Sequence, residues 1–244
     1  MKGLFVGTSG FSYSHWEKGV FYPEDLEKKK KLEYFSTCFN SVELNSPFYH
    51  LPKGKTFSNW KNEVSDDFIF SVKASRYITH IKKLKDCKEP WNNLLERAKK
   101  LGPKLGPFLF QFPPNWKKNK ERLENFIDII SGNSLKFAFE FRHQSWLSSE
   151  IYNVFEKNKN LSFSVIDSPA WPSIKDPKGD FVYIRMHGRD KLYSSSYSKK
   201  ELKELANKIK KYLEDGLEVY CYFNNDAKGN AVKNAETLSS FLNE

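Results

Sequence analysis

The sequence predicts an α/β protein of the TIM (β/α)8 barrel class, and three observations lead there. Eight short apolar segments recur at intervals suited to intervening helices, helical patterns fill most of those intervals, and most segments end in a polar or charged residue. Strands alternating with helices join through right-handed βαβ units into a parallel sheet, which eight units can close. A length of 244 residues is near the roughly 250 typical of such a barrel, and we expect a single domain over residues 1–244. No Pro/Gly/Ser-rich linker, internal repeat or low-complexity tract divides the chain.

In order, the expected strands are residues 4–9, 40–45, 68–73, 108–112, 137–142, 162–167, 181–187 and 217–225. Each is rich in Phe, Val, Ile, Leu or Tyr, which suit strands covered on both faces. Between them, residues 26–39, 56–64, 91–101, 120–131, 150–157, 199–213 and 231–242 read as helices. Thr56 with Asn59 supplies one N-terminal signal, and Ser198 with Glu201 three residues on matches a capping box. The stretch 168–180 holds Pro169, Pro172 and Pro177 among turn residues, so a regular sixth helix is expected to be missing.

Strand alternation then sorts the polar residues, because residues two apart share a face. Glu43 with Asn45, Glu140 with Arg142, and Arg185 with His187 form same-side pairs. Leu44, Phe139, Phe141, Ile184 and Met186 between and beside them suit the layer under the helices. Lys73 and Gln111 follow the same logic, and Asp167 and Asn224 complete an expected ring at the barrel mouth. Glu43, Glu140, Asp167 and His187 are the expected acids and bases. Asn45, Tyr49, Lys73, His80, Gln111, Arg142, His143, Arg185, Arg189, Asn224 and Asn225 are the expected contacts to substrate or anion. Trp16, Phe21, Tyr22, Trp146, Trp171 and Tyr197 are further aromatic candidates to wall the cleft.

A formal charge of +10 invites a nucleic-acid partner, yet most of it sits on lysine clusters in expected helices and loops, where solvated lysines are ordinary. Arginine is scarcer and gathers at strand ends, which says more about a site than the lysine total. Glu140, Asp167 and His187 are chemically suited to a divalent metal, although no His-x-His or His-Glu-x-x-His spacing supports one. No nucleotide-cofactor motif is found, and Gly7-Thr8-Ser9-Gly10 lacks the Gly-Lys-Ser/Thr ending of a phosphate loop. Three dispersed cysteines fit a reducing compartment. The N-terminus has no long apolar core and no run approaches the roughly 18 residues of a membrane span, so a cytoplasmic location and no membrane partner are expected.

Several blocks resemble the YecE-like family, also called DUF72. They are Gly7 to Tyr13, Phe21-Tyr22-Pro23, Val42 to Tyr49, Lys104 to Pro114, Glu140-Phe141-Arg142-His143 with Gln144-Ser145-Trp146, Tyr183 to Arg189, and Phe223-Asn224-Asn225-Asp226. Pro47 departs from the small hydroxyl residue usual there. The resemblance implies a TIM-barrel fold and no established activity. The leading functional expectation is therefore an enzyme, a hydrolase, lyase or isomerase working by acid/base chemistry on a small anionic, phosphorylated or sugar-like substrate. The alternatives are a nucleic-acid-binding or phosphodiester-processing protein, by fold analogy alone, and a non-catalytic ligand-binding barrel.

Overall fold

The computed structural model describes residues 2–132, 134–174 and 176–244. Its strands are β1 (Leu4–Thr8), β2 (Ser41–Leu44), β3 (Ile69–Lys73), β4 (Leu105–Gln111), β5 (Phe137–Glu140), β6 (Leu161–Phe163), β7 (Val165–Asp167), β8 (Lys178–Gly179), β9 (Phe181–Met186) and β10 (Glu218–Phe223). The helices are α1 (Lys31–Cys38), α2 (Ser46–Tyr49), α3 (Gly54–Asn62), α4 (Lys88–Ala98), α5 (Lys120–Ile130), α6 (Ser149–Lys157), α7 (Lys199–Glu214) and α8 (Asn230–Asn243). The short α2, with Pro47 in its first turn where a missing N–H costs nothing, has no counterpart in the sequence pattern.

Helix starts show which local signals act. Ser198 accepts from the Glu201 amide while the Glu201 carboxylate accepts from the Ser198 amide, a full capping box on α7. Thr56 is corrected. The helix begins at Gly54 behind an extended Lys53 that makes no side-chain cap, so Thr56 lies inside the first turn. Between β7 and β9 no helix forms among the described residues, and only two-residue β8 interrupts the link; Lys175 lies outside them.

The hydrogen-bonded ladders form two sheets, in the orders β1-β10-β9-β7 and β2-β3-β4-β5-β6-β8. Every pairing is parallel except that of β6 with β8. One continuous eight-stranded ladder is not what the pairing gives. The expected sixth strand divides at Ser164, so β6 stays with β5 while β7 joins β9. At the opposite edge, β1 and β2 share an isolated bridge between Ser9 and Glu43. There the backbones come so close that a Cβ on Gly7 would stand 1.8 Å from the Ser41 carbonyl oxygen, so only glycine fits.

Two apolar cores result. The larger lies between the strands and the helices, where Phe141 stacks on Trp146 at 4.0 Å and Phe155 meets Phe139 edge-on. Leu44, Phe139, Phe141, Ile184 and Met186 are all buried in it, each large side chain contributing on the order of 1.5–3 kcal/mol. The smaller joins Leu109 and Ala138 of one sheet to Phe181, Tyr183, Tyr220 and Tyr222 of the other, so the inner faces of the two sheets pack together. Tyrosine tips end that layer. The Tyr222 hydroxyl sits 2.6 Å from Ser41 Oγ and 2.7 Å from Ser71 Oγ, and polar residues take over toward the C-terminal strand ends.

Candidate functional site

Parallel register places the polar side chains of different strands side by side: Glu43 beside Ser71, Gln111 beside Glu140, and Tyr222 beside Arg185. Lys73 stands two residues beyond Ser71 and His187 two beyond Arg185, on the same inner side. These residues meet above the tyrosine layer as a buried charge cluster.

Arg185 is its centre. Its Nε donates to Glu43 Oε2 at 2.9 Å and one Nη to Glu43 Oε1 at 2.8 Å, the planar fork that only arginine supplies. The other Nη donates to Glu140 Oε2 at 2.6 Å, and longer contacts of 3.5 Å to His187 Nε2 and 3.4 Å to Ser9 Oγ use its remaining directions. Glu43 also accepts from Ser9 Oγ and from the Tyr183 hydroxyl, both at 2.8 Å. Glu140 Oε1 accepts from Arg142 Nε at 2.6 Å. Burial opposes ionisation of both carboxylates. Arg185, joined by Lys73 at Glu43 and by Arg142 at Glu140, more than offsets it and holds them below the usual carboxylate range, Glu140 well below.

Two carboxylates are thus matched by two guanidiniums. Lys73 is left over. Its side chain is only 8% exposed, its Nζ lies 4.2 Å from the centroid of the Phe48 ring, and it makes no hydrogen bond or ion pair among the described residues. Burial pushes its amine down from 10.5 to about 7, Arg185 adds repulsion, and Glu43 and Glu140 oppose the fall only in part. His80 packs edge-on against the same Phe48 ring at 5.2 Å and bonds Thr79 Oγ1 at 2.9 Å. Burial and the nearby Lys73 lower it to about 4. Burial likewise lowers His187 to about 4 despite Glu140, so both imidazoles are neutral near pH 7. The Asn224 amide lies 3.1 Å from His187 Nδ1, leaving Nε2 to face Glu140 at 3.5 Å.

A roof covers the cluster. The Trp171 ring stacks 3.5 Å from the Arg142 guanidinium carbon and meets His187 edge-on at 5.4 Å, while Tyr193 Oη accepts from Arg142 at 3.4 Å. Gln111 donates to the Phe112 carbonyl at 2.7 Å. Asn45 Oδ1 is buried with no hydrogen-bond partner, and Tyr49 is 79% exposed above Phe48.

The structure separates other expected members of the ring from this cluster. Asp167 stands beside Met186, not Arg185, because Ile166 takes the inner position in that register. Its carboxylate instead accepts from Tyr197 at 3.0 Å and from Arg189 at 2.9 Å, and Arg189 reaches on to Glu201 at 2.9 Å. Asp167 and Arg189 thus serve the outer, α7 side. Glu140, Asp167 and His187 therefore do not converge, and among the described residues no group of three or more His, Cys, Asp or Glu side chains is arranged to hold a metal. His143 caps the turn Gln144–Trp146 by accepting from the Ser145 amide, and Asn225 ties Ser195 to Asn234 beneath α8. Arg185 belongs to the cluster, with three of its donors on its two carboxylates and the others directed at His187 and Ser9. Of the aromatic candidates, Trp16, Tyr22, Trp146 and Tyr197 are buried in the packing, and only Trp171 roofs the cluster.

Ser9, Tyr183 and Tyr193 were not expected as parts of this network. Ser9 and Tyr183 carry a usable signal, since Tyr183 precedes Arg185 by two residues on one strand and Ser9 directly follows β1, bridged to Glu43. Tyr193 carries none. It arrives through a loop turn with φ of 62°.

The architecture has clear relatives. A solved DUF72 family protein from Thermotoga maritima superposes with a TM-score of 0.87 at 33% identity, covering 99% of both chains. A DUF72 family protein from Enterococcus faecalis gives 0.83 at 22% identity over 99% of this chain and 96% of that one. The UPF0759 protein YunF of Bacillus subtilis is 26% identical over 273 residues, 98% of this chain and 94% of the relative. A family profile described as "Protein of unknown function DUF72" matches residues 5–244, and the chain belongs to that family.

Proposed function

We propose that this protein is an enzyme that uses acid/base chemistry on a small anionic substrate, phosphorylated or sugar-like, bound at the C-terminal ends of the strands. The observation that carries the reading is the charge count: Glu43 and Glu140 are neutralised by Arg185 and Arg142, so a protonated Lys73 leaves one buried positive charge without a partner. An incoming anion completes the count. Arg142, whose Nε alone is committed to Glu140, and Lys73 offer it contacts, while His80, His187 and the Asn45 carbonyl are at hand for proton transfer and orientation.

The same reading takes the two sheets as arcs of one (β/α)8 barrel forming a single domain. The Ser9–Glu43 bridge supports one seam and the passage of the chain across Ser164 the other. Three free cysteines, two of them buried, suit work in a reducing cytoplasm.

Calorimetric titration with inorganic phosphate tests the reading. Arg142→Ala is expected to weaken binding by about tenfold or more, and Lys200→Ala at the exposed start of α7 to leave it unchanged. Equal affinities for the two variants would remove the anion from this site.

A second reading, nucleic-acid binding, draws on one observation. The exposed large hydrophobics among the described residues, Val20, Tyr49, Tyr77, Ile81 and Tyr193, all lie in segments that follow C-terminal strand ends, with Lys82 and Lys83 beside Ile81. Aromatic and basic side chains together suit stacked bases and phosphates. Duplex or single-strand affinity falling steeply with salt and indifferent to Arg142→Ala would favour it.

A further inference from the structure

The ring contact of Lys73 is unlike that of a structural cation. An ammonium deprived of carboxylate partners is better placed as a free amine, and a free amine is a nucleophile toward carbonyl carbon. Lys73 ends β3, so its backbone is held by the ladder to β4, where it stands beside Leu109. Phe48 lays its ring against the Lys73 amine and His80 packs against the same ring. The roof of Trp171 and Tyr193 lies toward Arg142, and Tyr49, exposed on the four-residue α2, packs edge-on against Phe48 from the solvent side.

We infer that Lys73 forms a covalent imine with an anionic carbonyl compound, a 2-oxo acid or a phosphorylated aldehyde or ketone, whose anionic end is held at Arg142. This rests on the anionic-substrate reading above and names the substrate class. The Nζ lone pair attacks the carbonyl carbon, and the carbonyl π pair moves to oxygen, which takes up a proton. The nitrogen loses a proton to give a neutral carbinolamine. Protonation of its hydroxyl expels one water as the nitrogen pair closes the C=N bond, leaving a protonated imine. No electron is gained or lost overall, and neither oxidant nor reductant is required. The iminium restores a positive charge at Nζ, facing the negative charge that the substrate brings. Its electron demand then assists loss of a proton or cleavage of a bond at the neighbouring carbon, with a neutral His80 or His187 available to take the proton.

The test is reductive trapping of the whole protein near neutral pH with cyanoborohydride, using pyruvate and, separately, dihydroxyacetone phosphate as probes. Hydride addition to the imine carbon leaves a stable secondary amine that peptide mass spectrometry locates. Lys73 is expected to be labelled about tenfold or more faster than any surface lysine, because burial lowers its amine to about 7 and so leaves a substantial share of it unprotonated near neutral pH. Inorganic phosphate is expected to slow the labelling, and Lys73→Arg to abolish it at that site. Mapping on the unmutated protein keeps the inference testable if that variant does not fold. Labelling confined to surface lysines with both probes overturns the inference. If phosphate still binds in an Arg142-dependent way, the imine falls and the anion site stands; an adduct at Lys73 without such binding keeps the imine and sinks the anionic reading.

Discussion

Arg185 and Lys73 are both buried cations at C-terminal strand ends, within the field of the same two carboxylates, and they differ in everything that pairing controls. Arg185 is gripped by Glu43 and Glu140 through three hydrogen bonds of 2.6 to 2.9 Å, and those carboxylates push its basicity up. Lys73 has an aromatic face for company and loses basicity. The strand end alone therefore does not distinguish scaffold from reactive group. The number of partners does: a saturated guanidinium locks the two sheets together, while an unmatched amine is, on the proposed reading, the group a ligand would meet.

Replacing each cation by methionine separates the two roles, and the larger effect is expected at Arg185. Arg185→Met removes the shared partner of Glu43 and Glu140, leaving Glu43 buried with only hydroxyl donors and the unpaired Lys73, and Glu140 with Arg142. We expect a loss of about 3–5 kcal/mol in urea unfolding, seen as a lower midpoint at unchanged slope. A loss below about 1 kcal/mol would make Arg185 no more structural than an exposed pair and would erase the contrast.

At Lys73 the sign reverses. Its folded value near 7 lies below the usual 10.5, so folding must strip a proton or bury an uncompensated charge. That penalty is fully present below pH 7 and disappears as pH rises through the unfolded value, so this group makes stability climb between about 7 and 10.4. Lys73→Met is therefore expected to raise stability at neutral pH by about 1–2 kcal/mol and to flatten the climb relative to the unmutated protein. Thermal melts of both across that range check it. A destabilised variant with an unchanged pH slope would mean that Lys73 has a partner in solution and belongs with Arg185.

Much of this division is legible in the sequence, and the remainder fails for identifiable reasons. Alternation by two brings Glu43, Glu140, Arg185 and His187 to one side, and their register-mates confirm the geometry. The same rule, counted from Ser162 beside Ala138, puts 162, 164 and 166 inward and Asp167 outward, a phase that only the pairing with β5 reveals. Residues beyond a strand's last hydrogen bond are not bound by alternation, although Arg142 still keeps to the side of Glu140. His143 and Arg189 lie there, and loop geometry sent one to cap a turn and the other to α7. Pairing is the least legible layer. Nothing in the spacing says that Arg185 spends its donors while Lys73 spends none, because that depends on side chains from β2, β5 and β9 meeting in space. The division of the sheet at Ser164 is similarly hidden, since residues 161–167 read as one strand until the partners of each half are known.

The smallest expected effect tests the outer boundary of the site. Its position at a strand end groups Arg189 with Arg142 and Arg185, yet its side chain is about half exposed and bridges Asp167 and Glu201 at 2.9 Å each. Solvent screens such pairs, and ordering a long side chain offsets part of the attraction, so each contributes at most about 1 kcal/mol. Arg189→Ala is expected to lower stability by less than about 1 kcal/mol, with the deficit shrinking in high salt as screening removes what the pairs supplied. Phosphate affinity is expected to stay within about twofold of the unmutated protein, because Asp167 faces away from the cluster that holds Lys73 and Arg142. A tenfold loss of phosphate binding in Arg189→Ala, at unchanged stability, would place the anion on the α7 side and transfer the unmatched charge of interest from Lys73 to Arg189.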